Sequence, residues 1–214
     1  MRPFGRLVLP AASLRTPDVD TDQLVPARFL FRPRAQGFAE QLFHDLRFDS
    51  AGGLRPDFVL NRPRAEATGC LVTGPNFGCG SSRESAVWAL SDYGIRCVIG
   101  TSFGDIFFNN CLKNGLLPVR LEAQEVDRLH ARLEAQPDAP IEVDLPAQTV
   151  SLEGCPPMNF AMDPFRKHLL IEGKDDIALT LGMTDRLAQF EQAYDTGPGR
   201  HLAGGPGGPD RPPS

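Results

Sequence analysis

The sequence predicts an α/β domain, in which strands and helices alternate along the chain. Short apolar segments, typical of buried strands, are separated by segments whose apolar residues repeat every three or four positions, as on one face of a helix. The 214 residues suffice for one domain with a hydrophobic core, and the content of 41% apolar and 23% charged residues is that of an ordinary globular protein. We therefore expect a single compact domain over residues 1–195, followed by a disordered tail over residues 196–214, which is rich in Gly and Pro.

The elements follow in order along the chain. The first strand is predicted over Leu7–Leu9 and ends at Pro10; a loop covers Thr16–Pro26, and a short helix falls near Gln36–Leu46. Further strands are predicted over Gly69–Thr73, Ile95–Ile99, Leu116–Leu121, Ile141–Leu145 and Thr149–Leu152. Helices are predicted from Ser81 to a cap at Gly94, from Ser102 to Asn114–Gly115, and over Glu122–Gln136, Pro164–Glu172 and Asp176–Tyr194.

Composition excludes several classes of function. The net charge of −5 gives no support to nucleic-acid binding, and a small anionic substrate would need cations placed locally. No stretch approaches the roughly 20 apolar residues of a membrane span, and the N-terminal segment lacks the layout of a signal peptide. We expect a cytoplasmic protein that binds neither nucleic acid nor membrane.

The cysteines do not predict a metal site. Five cysteines occur, an odd number, and no two of them form a C-x-x-C pair. Asp18, Asp20 and Asp22 alternate in a loop but lack the further carboxylates of a calcium loop. Buried, reduced thiols and no metal bound by this chain are the expectation.

The run Gly78–Glu84 (GCGSSRE) is the strongest candidate for a site. Two glycines permit a close approach by a ligand, and the following helix start offers free N–H groups and the positive end of its dipole to an anion. Arg83 adds a donor pair that suits a carboxylate, and Ser81 or Ser82 offers an oxygen for proton transfer. The run lacks the endings of a P-loop and of a dinucleotide fingerprint.

A structural explanation of the same residues stays open. Ser81 followed by Glu84 three residues later fits a capping box, which needs no chemistry. From the residues alone, the run predicts a helix start that binds an anion.

Several segments together resemble a known family, the isopropylmalate isomerase small subunits, which carry the swivelling β/β/α domain of the aconitase superfamily. The likeness extends from about Phe4 to Tyr194. The segments that carry it are, in chain order, Val19–Pro26, Pro56–Asn61, Asn76–Glu84, Asp92–Arg96, Ser102–Asn110, Asn114–Val119 and Asp175–Leu181.

The resemblance implies a hydro-lyase that interconverts 2-isopropylmalate and 3-isopropylmalate in leucine biosynthesis, active only with a large subunit that carries a [4Fe-4S] cluster. It implies that Ser81 is the base, that Arg83 binds a substrate carboxylate, and that Asp22 is an acidic active-site residue. The substrate-binding residues that we expect beside them are Thr21, Arg34, Gly80 and Ser82.

Two positions depart from the family pattern. Ser85 stands where the family usually has His, and Ala35 stands where a substrate-recognising Arg is common, with Arg34 displaced by one position. These departures leave open a paralogue that acts on another malate derivative, such as 2-methylmalate. They also leave open a non-catalytic interaction subunit in which Ser81 only caps its helix.

Overall fold

A mixed β-sheet of seven strands forms the centre of the computed structural model, which describes residues 1–63 and 65–174. Across the sheet the strand order is β4-β3-β2-β1-β5-β6-β7. The strands are β1 (Arg6–Leu14), β2 (Cys70–Thr73), β3 (Cys97–Gly100), β4 (Leu117–Arg120), β5 (Pro140–Asp144), β6 (Thr149–Leu152) and β7 (Met158–Asn159).

Strand β1 joins a parallel half of the sheet to an antiparallel half. Its first part pairs with β5 in antiparallel fashion up to Pro10, opposite Pro140, and its second part pairs with β2 in parallel from Ala11, opposite Cys70. The prediction that this strand ends at Pro10 is wrong. Pro10 lacks an N–H, but it sits where the pairing changes partner, and its carbonyl oxygen still accepts a bond of 2.9 Å from the Gly69 amide.

Six α-helices occur among the described residues. They are α1 (Thr21–Leu24), α2 (His44–Arg47), α3 (Glu84–Tyr93), α4 (Asp105–Asn114), α5 (Ala123–Ala135) and α6 (Pro164–Glu172). Gly94 and Gly115 end α3 and α4 with left-handed φ angles of 115° and 78°, which confirms both predicted C-caps. The helix predicted over Asp176–Tyr194 and the boundaries of the predicted tail lie outside the described residues.

The predicted starts of α3 and α4, at Ser81 and Ser102, are wrong by three residues. Helix α3 begins at Glu84 after Arg83, and α4 begins at Asp105 after Gly104, and neither preceding residue caps its helix with a side chain. The chain is still in loop conformation at Ser81 and Ser102, since other loops hold it there, so their hydroxyl groups do not reach a helix terminus.

The segment between β1 and β2 contains short turns instead of the predicted helix. Single 3₁₀ turns lie at 27–29, 34–36, 39–41, 59–61 and 65–67, and the only α-helical part of Gln36–Leu46 is the start of α2. The loop predicted over Thr16–Pro26 contains α1, whose start is capped by Asp20 and Gln23.

The parallel half of the sheet is buried on both faces. Along β2, Cys70 and Val72 belong to one apolar cluster and Leu71 to the other, and Val98 of β3 joins Leu71. Such two-sided burial is typical of parallel strands. The described residues lie in one compact unit, Met1–Asp175, and the α/β prediction is confirmed.

Candidate active site

Two loops run side by side beyond the carboxyl ends of β1 and β2. We call residues 15–22 the acidic loop and residues 74–83 the serine loop. The Gly78 amide donates to the Val19 carbonyl oxygen at 2.7 Å, and the Thr21 amide donates to the Cys79 carbonyl oxygen at 3.0 Å. These bonds continue the parallel pairing of β1 with β2 outside the sheet, so the two predicted site segments are held against each other.

Glycine is required at Gly78 for two reasons. Its φ angle is +73°, and a Cβ atom there would lie 2.2 Å from Cγ of Phe107. Gly80 has a φ of +87°, and a Cβ atom there would make only an ordinary contact of 3.5 Å with Cβ of Asp20, so only its backbone conformation favours glycine. The serine loop therefore packs closely on α4 at Gly78 and turns outward at Gly80.

A third loop, after β3, supports the serine loop from the other side. The Phe77 amide donates to the Ser102 carbonyl oxygen at 3.2 Å, and the Gly104 amide donates to the Phe77 carbonyl oxygen at 3.0 Å. The Ser102 hydroxyl accepts a bond of 2.8 Å from the Asn76 amide. The Ser102 side chain, which was predicted to cap a helix, therefore bonds to the serine loop instead.

Ser81 is exposed at the tip of this arrangement. Its carbonyl oxygen accepts a bond of 2.9 Å from the Thr21 hydroxyl, whose residue is only 2% exposed. Within residues 1–63 and 65–174, neither the Ser81 nor the Ser82 hydroxyl has a hydrogen-bond partner. The backbone at Ser81 is thus anchored while its hydroxyl group stays accessible.

An ion pair lies beside this serine. Arg83 donates from Nη1 to Oδ1 of Asp22, and the same nitrogen lies 3.5 Å from the Val25 carbonyl oxygen. The Arg83 side chain is 14% exposed and that of Asp22 is 50% exposed. Because a guanidinium has five N–H donors, Arg83 keeps donors for an anion after pairing with Asp22.

The position of Ser81 excludes the capping explanation. Ser81 stands three positions before Glu84, the first residue of α3, and the Glu84 carboxylate accepts a bond of 2.9 Å from the Asn114 side chain. The dipole of a helix acts mainly within its first turn. Stabilisation of an anion at Ser81 must therefore come from loop amides and Arg83 more than from α3.

Cys79 is a poor alternative base. Burial raises the pKa of its thiol, and the neighbouring carboxylates of Asp20 and Asp18 raise it further. Cys79 therefore favours the protonated thiol, which is a poor base. The accessible serine hydroxyl groups are the remaining candidates for the base in this loop.

The thiols in the core are buried and favour the protonated form. Burial raises the pKa of Cys97 and of Cys111 well above the usual value. In the described part of the chain, no group of three or more His, Cys, Asp and Glu side chains is placed to hold a metal ion.

Arg34 is not brought to this cluster. Its guanidinium makes two bonds to the Asp92 carboxylate, at 2.7 and 2.8 Å, and lies 5.3 Å from the Trp88 ring centre. Asp92 is near the C-terminal end of α3, about 12 Å along the helix from Glu84 at 1.5 Å per residue. The structure therefore places Arg34 at the opposite end of α3 from Ser81, and its predicted contact with substrate has no geometric support here.

Ser85, which departs from the family pattern, is buried behind the serine loop. It is 7% exposed, and its hydroxyl oxygen has no hydrogen-bond partner among the described residues. The sequence did not indicate this burial, nor the roles of Asp18, Asn76 and Ser102 in holding the loops together.

Comparisons with known proteins agree with this geometry. Residues 10–124 match the family model of the aconitase C-terminal domain. A 3-isopropylmalate dehydratase small subunit of Paramagnetospirillum magneticum is 46% identical over 92% of this chain and 98% of that protein. Its counterpart from Rhodospirillum centenum is 48% identical over 92% and 97%.

A solved structure shares the fold. The crystal structure of 3-isopropylmalate dehydratase from Methanocaldococcus jannaschii matches with a TM-score of 0.62 and 25% identity, over 87% of this chain and 99% of that one. The mixed sheet and the exposed serine loop thus define a swivelling domain of the aconitase superfamily. Within that superfamily, the chain belongs to the family of 3-isopropylmalate dehydratase small subunits.

None of the helices that the structure describes combines the length and the apolar character of a membrane span.

Proposed function

We propose that this chain is the small subunit of a two-subunit hydro-lyase that interconverts 2-isopropylmalate and 3-isopropylmalate in leucine biosynthesis, in the cytoplasm. The observation that carries the proposal is the accessible Ser81 hydroxyl beside the Arg83–Asp22 pair, on loops anchored to the parallel sheet. The names of relatives that are 46–48% identical over nearly their whole length support the same reaction.

Ser81 acts as the base in the proposed reaction. Its oxygen removes the proton from carbon, the electrons of that C–H bond form the C=C bond, and the neighbouring hydroxyl group departs. To complete the isomerisation, Ser81 returns the proton to the carbon that lost the hydroxyl group, while water adds its hydroxyl group to the carbon that lost the proton. The loop amides beside Ser81 and the Arg83 guanidinium stabilise the negative charge that the oxygen needs for this role.

Arg83 binds a carboxylate of the substrate, and Asp22 orients the guanidinium. Gly80 and Ser82 contact the substrate on either side of Ser81. Thr21 contributes by holding the Ser81 backbone in place. A [4Fe-4S] cluster on the large subunit supplies a Lewis acid for the departing hydroxyl group.

A large subunit must cover the site for these groups to act. Ser81, Ser82 and Gly80 are exposed, so water competes for every donor around them in the isolated chain. Excluding that water strengthens each electrostatic contact. The small subunit alone is therefore inactive.

Substitution of Ser81 tests the proposal. Assembled with a large subunit of this family, Ser81→Ala should lose about 10²–10⁴-fold in kcat, the usual contribution of a positioned acid or base. The matched control is Ser91→Ala, at the other end of α3, which should keep the wild-type rate. Full turnover by an assembled Ser81→Ala complex would remove the catalytic role.

The substrate is tested in the same assay. The proposal expects the highest kcat/KM with 2- and 3-isopropylmalate. A preference for 2-methylmalate would replace the substrate while keeping the chemistry, in line with the departures at Ala35 and Ser85. Absence of turnover on every hydroxy diacid by an assembled complex would identify a non-catalytic interaction subunit.

A further inference from the structure

A second pair of side chains joins the two loops of the site, away from Ser81. The side-chain amide of Asn76 donates from Nδ2 to Oδ1 of Asp18 at 2.7 Å. Both residues have left-handed backbones, with φ angles of 56° and 52°. Asn and Asp tolerate this region better than other side chains do, but it still carries a cost unless the surroundings hold it.

The pair lies where the two loops first meet. The Asp18 amide donates to the Pro75 carbonyl oxygen at 3.0 Å, directly beside the side-chain contact. The backbone N–H of Asn76 also donates to the Ser102 hydroxyl oxygen at 2.8 Å. Asn76 therefore connects the acidic loop, the serine loop and the loop after β3.

The Asp22–Arg83 ion pair closes the opposite end of the same ladder. Between the two side-chain contacts, the backbone bonds at Gly78 and Thr21 set which residue of one loop faces which residue of the other. A slip of one residue along such a ladder moves the chain by about 3.3 Å. That distance would take the Thr21 hydroxyl out of hydrogen-bond reach of the Ser81 carbonyl oxygen, which now lies 2.9 Å from it.

We propose that Asp18 and Asn76 are positioning residues that fix the register of the serine loop against the acidic loop, and so set where Ser81 and Arg83 stand relative to Thr21 and Asp22. They do not touch the substrate. This inference rests on the proposed function of Ser81. It assigns a role to two residues that hold the loops from the side opposite the ion pair.

A double-mutant cycle tests the role without changing the residue types that the backbone tolerates. In Asn76→Asp, two carboxylates face each other and the bond is lost. We expect kcat of the assembled enzyme to fall by about 10- to 100-fold with a smaller change in KM, since a displacement of about 1 Å can cost 10²-fold. Adding Asp18→Asn restores a donor–acceptor pair with reversed direction and should bring kcat back to within a few-fold of the wild type.

Amide hydrogen exchange in the isolated chain gives a readout that is independent of turnover. Protection at the Gly78 and Thr21 amides should fall in Asn76→Asp and return in the double variant. The control is Asp138→Asn, which also has a left-handed backbone (φ 62°) but lies outside these loops. It should leave both exchange and kcat unchanged.

The outcomes separate the two claims. An active wild-type complex with equal kcat in Asn76→Asp would overturn the positioning role and leave the proposed function standing. A loss in Asn76→Asp that the second substitution fails to restore would also overturn it, because the contact itself would not be the cause. A wild-type complex without turnover would overturn the proposed function, and this inference with it.

Discussion

At the scale of single residues, the observed partner of Arg34 differs from the predicted one. The family resemblance predicts a substrate ligand, whereas the structure shows a two-bond contact with Asp92, which also accepts a bond of 2.8 Å from the Phe38 amide. The spacing of charges along the chain did not indicate this partner, since Arg34 and Asp92 are 58 residues apart.

Substitution of Arg34 distinguishes the two roles. Arg34→Ala should lower the free energy of unfolding by about 1 kcal/mol or less, because both partners of the ion pair are partly exposed. KM of the assembled enzyme should stay at the wild-type value. Thermal unfolding and steady-state kinetics measure the two effects, and a large rise in KM with unchanged stability would restore the substrate-binding role.

His130 gives a prediction for pH. It is 2% exposed, with Nδ1 2.8 Å from the Ser13 hydroxyl and Nε2 3.3 Å from the Thr73 carbonyl oxygen. Burial lowers the pKa of His130 from its ordinary value, and the nearby Arg15 lowers it further. The unfolded chain therefore takes up a proton at a higher pH than the folded one does.

The sign follows from this difference in proton uptake. The free energy of unfolding should decrease as the pH falls from about 7 through the lowered pKa of His130. His130→Gln should flatten that part of the pH dependence, whatever its effect on stability at pH 8. Denaturant unfolding at several pH values measures the slope, and an unchanged slope in the variant would contradict the assignment to His130.

At the scale of elements, the close approach between the serine loop and α4 decides a loop conformation. In Gly78→Ala, the added Cβ atom meets the Phe107 ring. The backbone at this position also has a positive φ angle, which disfavours residues with a side chain. Overpacking and the left-handed backbone together should lower the free energy of unfolding by about 2–4 kcal/mol.

Gly52→Ala is the matched control for Gly78. Gly52 has a φ of +82°, and no atom of the described residues lies within 4 Å of the added carbon, so only the backbone cost of about 1–2 kcal/mol applies. Denaturant unfolding should rank the two variants in this order. Equal losses would show that the Phe107 contact relaxes without cost.

The helix starts show the limit of local patterns at the same scale. Both Ser81 and Ser102 have the residue spacing of a capping box, yet α3 and α4 begin three residues later. A cap requires the chain to enter the helix at that residue, and the loops of β1, β2 and β3 fix the entry point instead. The C-caps at Gly94 and Gly115 were predictable because a left-handed glycine ends a helix by its own backbone freedom.

At the scale of the whole molecule, β1 links the two halves of the sheet and the two apolar clusters. Ile141 of β5 lies in one cluster, while Trp88, the single tryptophan of the chain, packs on the other. Because β1 pairs with both β2 and β5, we expect the described unit to unfold in one cooperative transition.

Ile141→Ala tests this cooperativity. Loss of a fully buried side chain should lower the free energy of unfolding by about 2–5 kcal/mol, and Trp88 fluorescence and far-UV circular dichroism should shift together. The control Val8→Ala, at a strand position that is 61% exposed, should change little. A Trp88 transition that stays at the wild-type midpoint would show that the halves unfold separately.

The sequence by itself determined the α/β class, six of the seven described strands, the helices α3 to α6, the C-caps and the serine loop with Arg83. These features depend on residue types and short spacings, which act locally, and on motifs that the family resemblance identified. Only the tertiary structure decided that Asp22 pairs with Arg83, that Arg34 pairs with Asp92, and that Asp18 meets Asn76. Each of these contacts joins residues about 60 positions apart, and their geometry exists only once the sheet has brought the ends of its strands together.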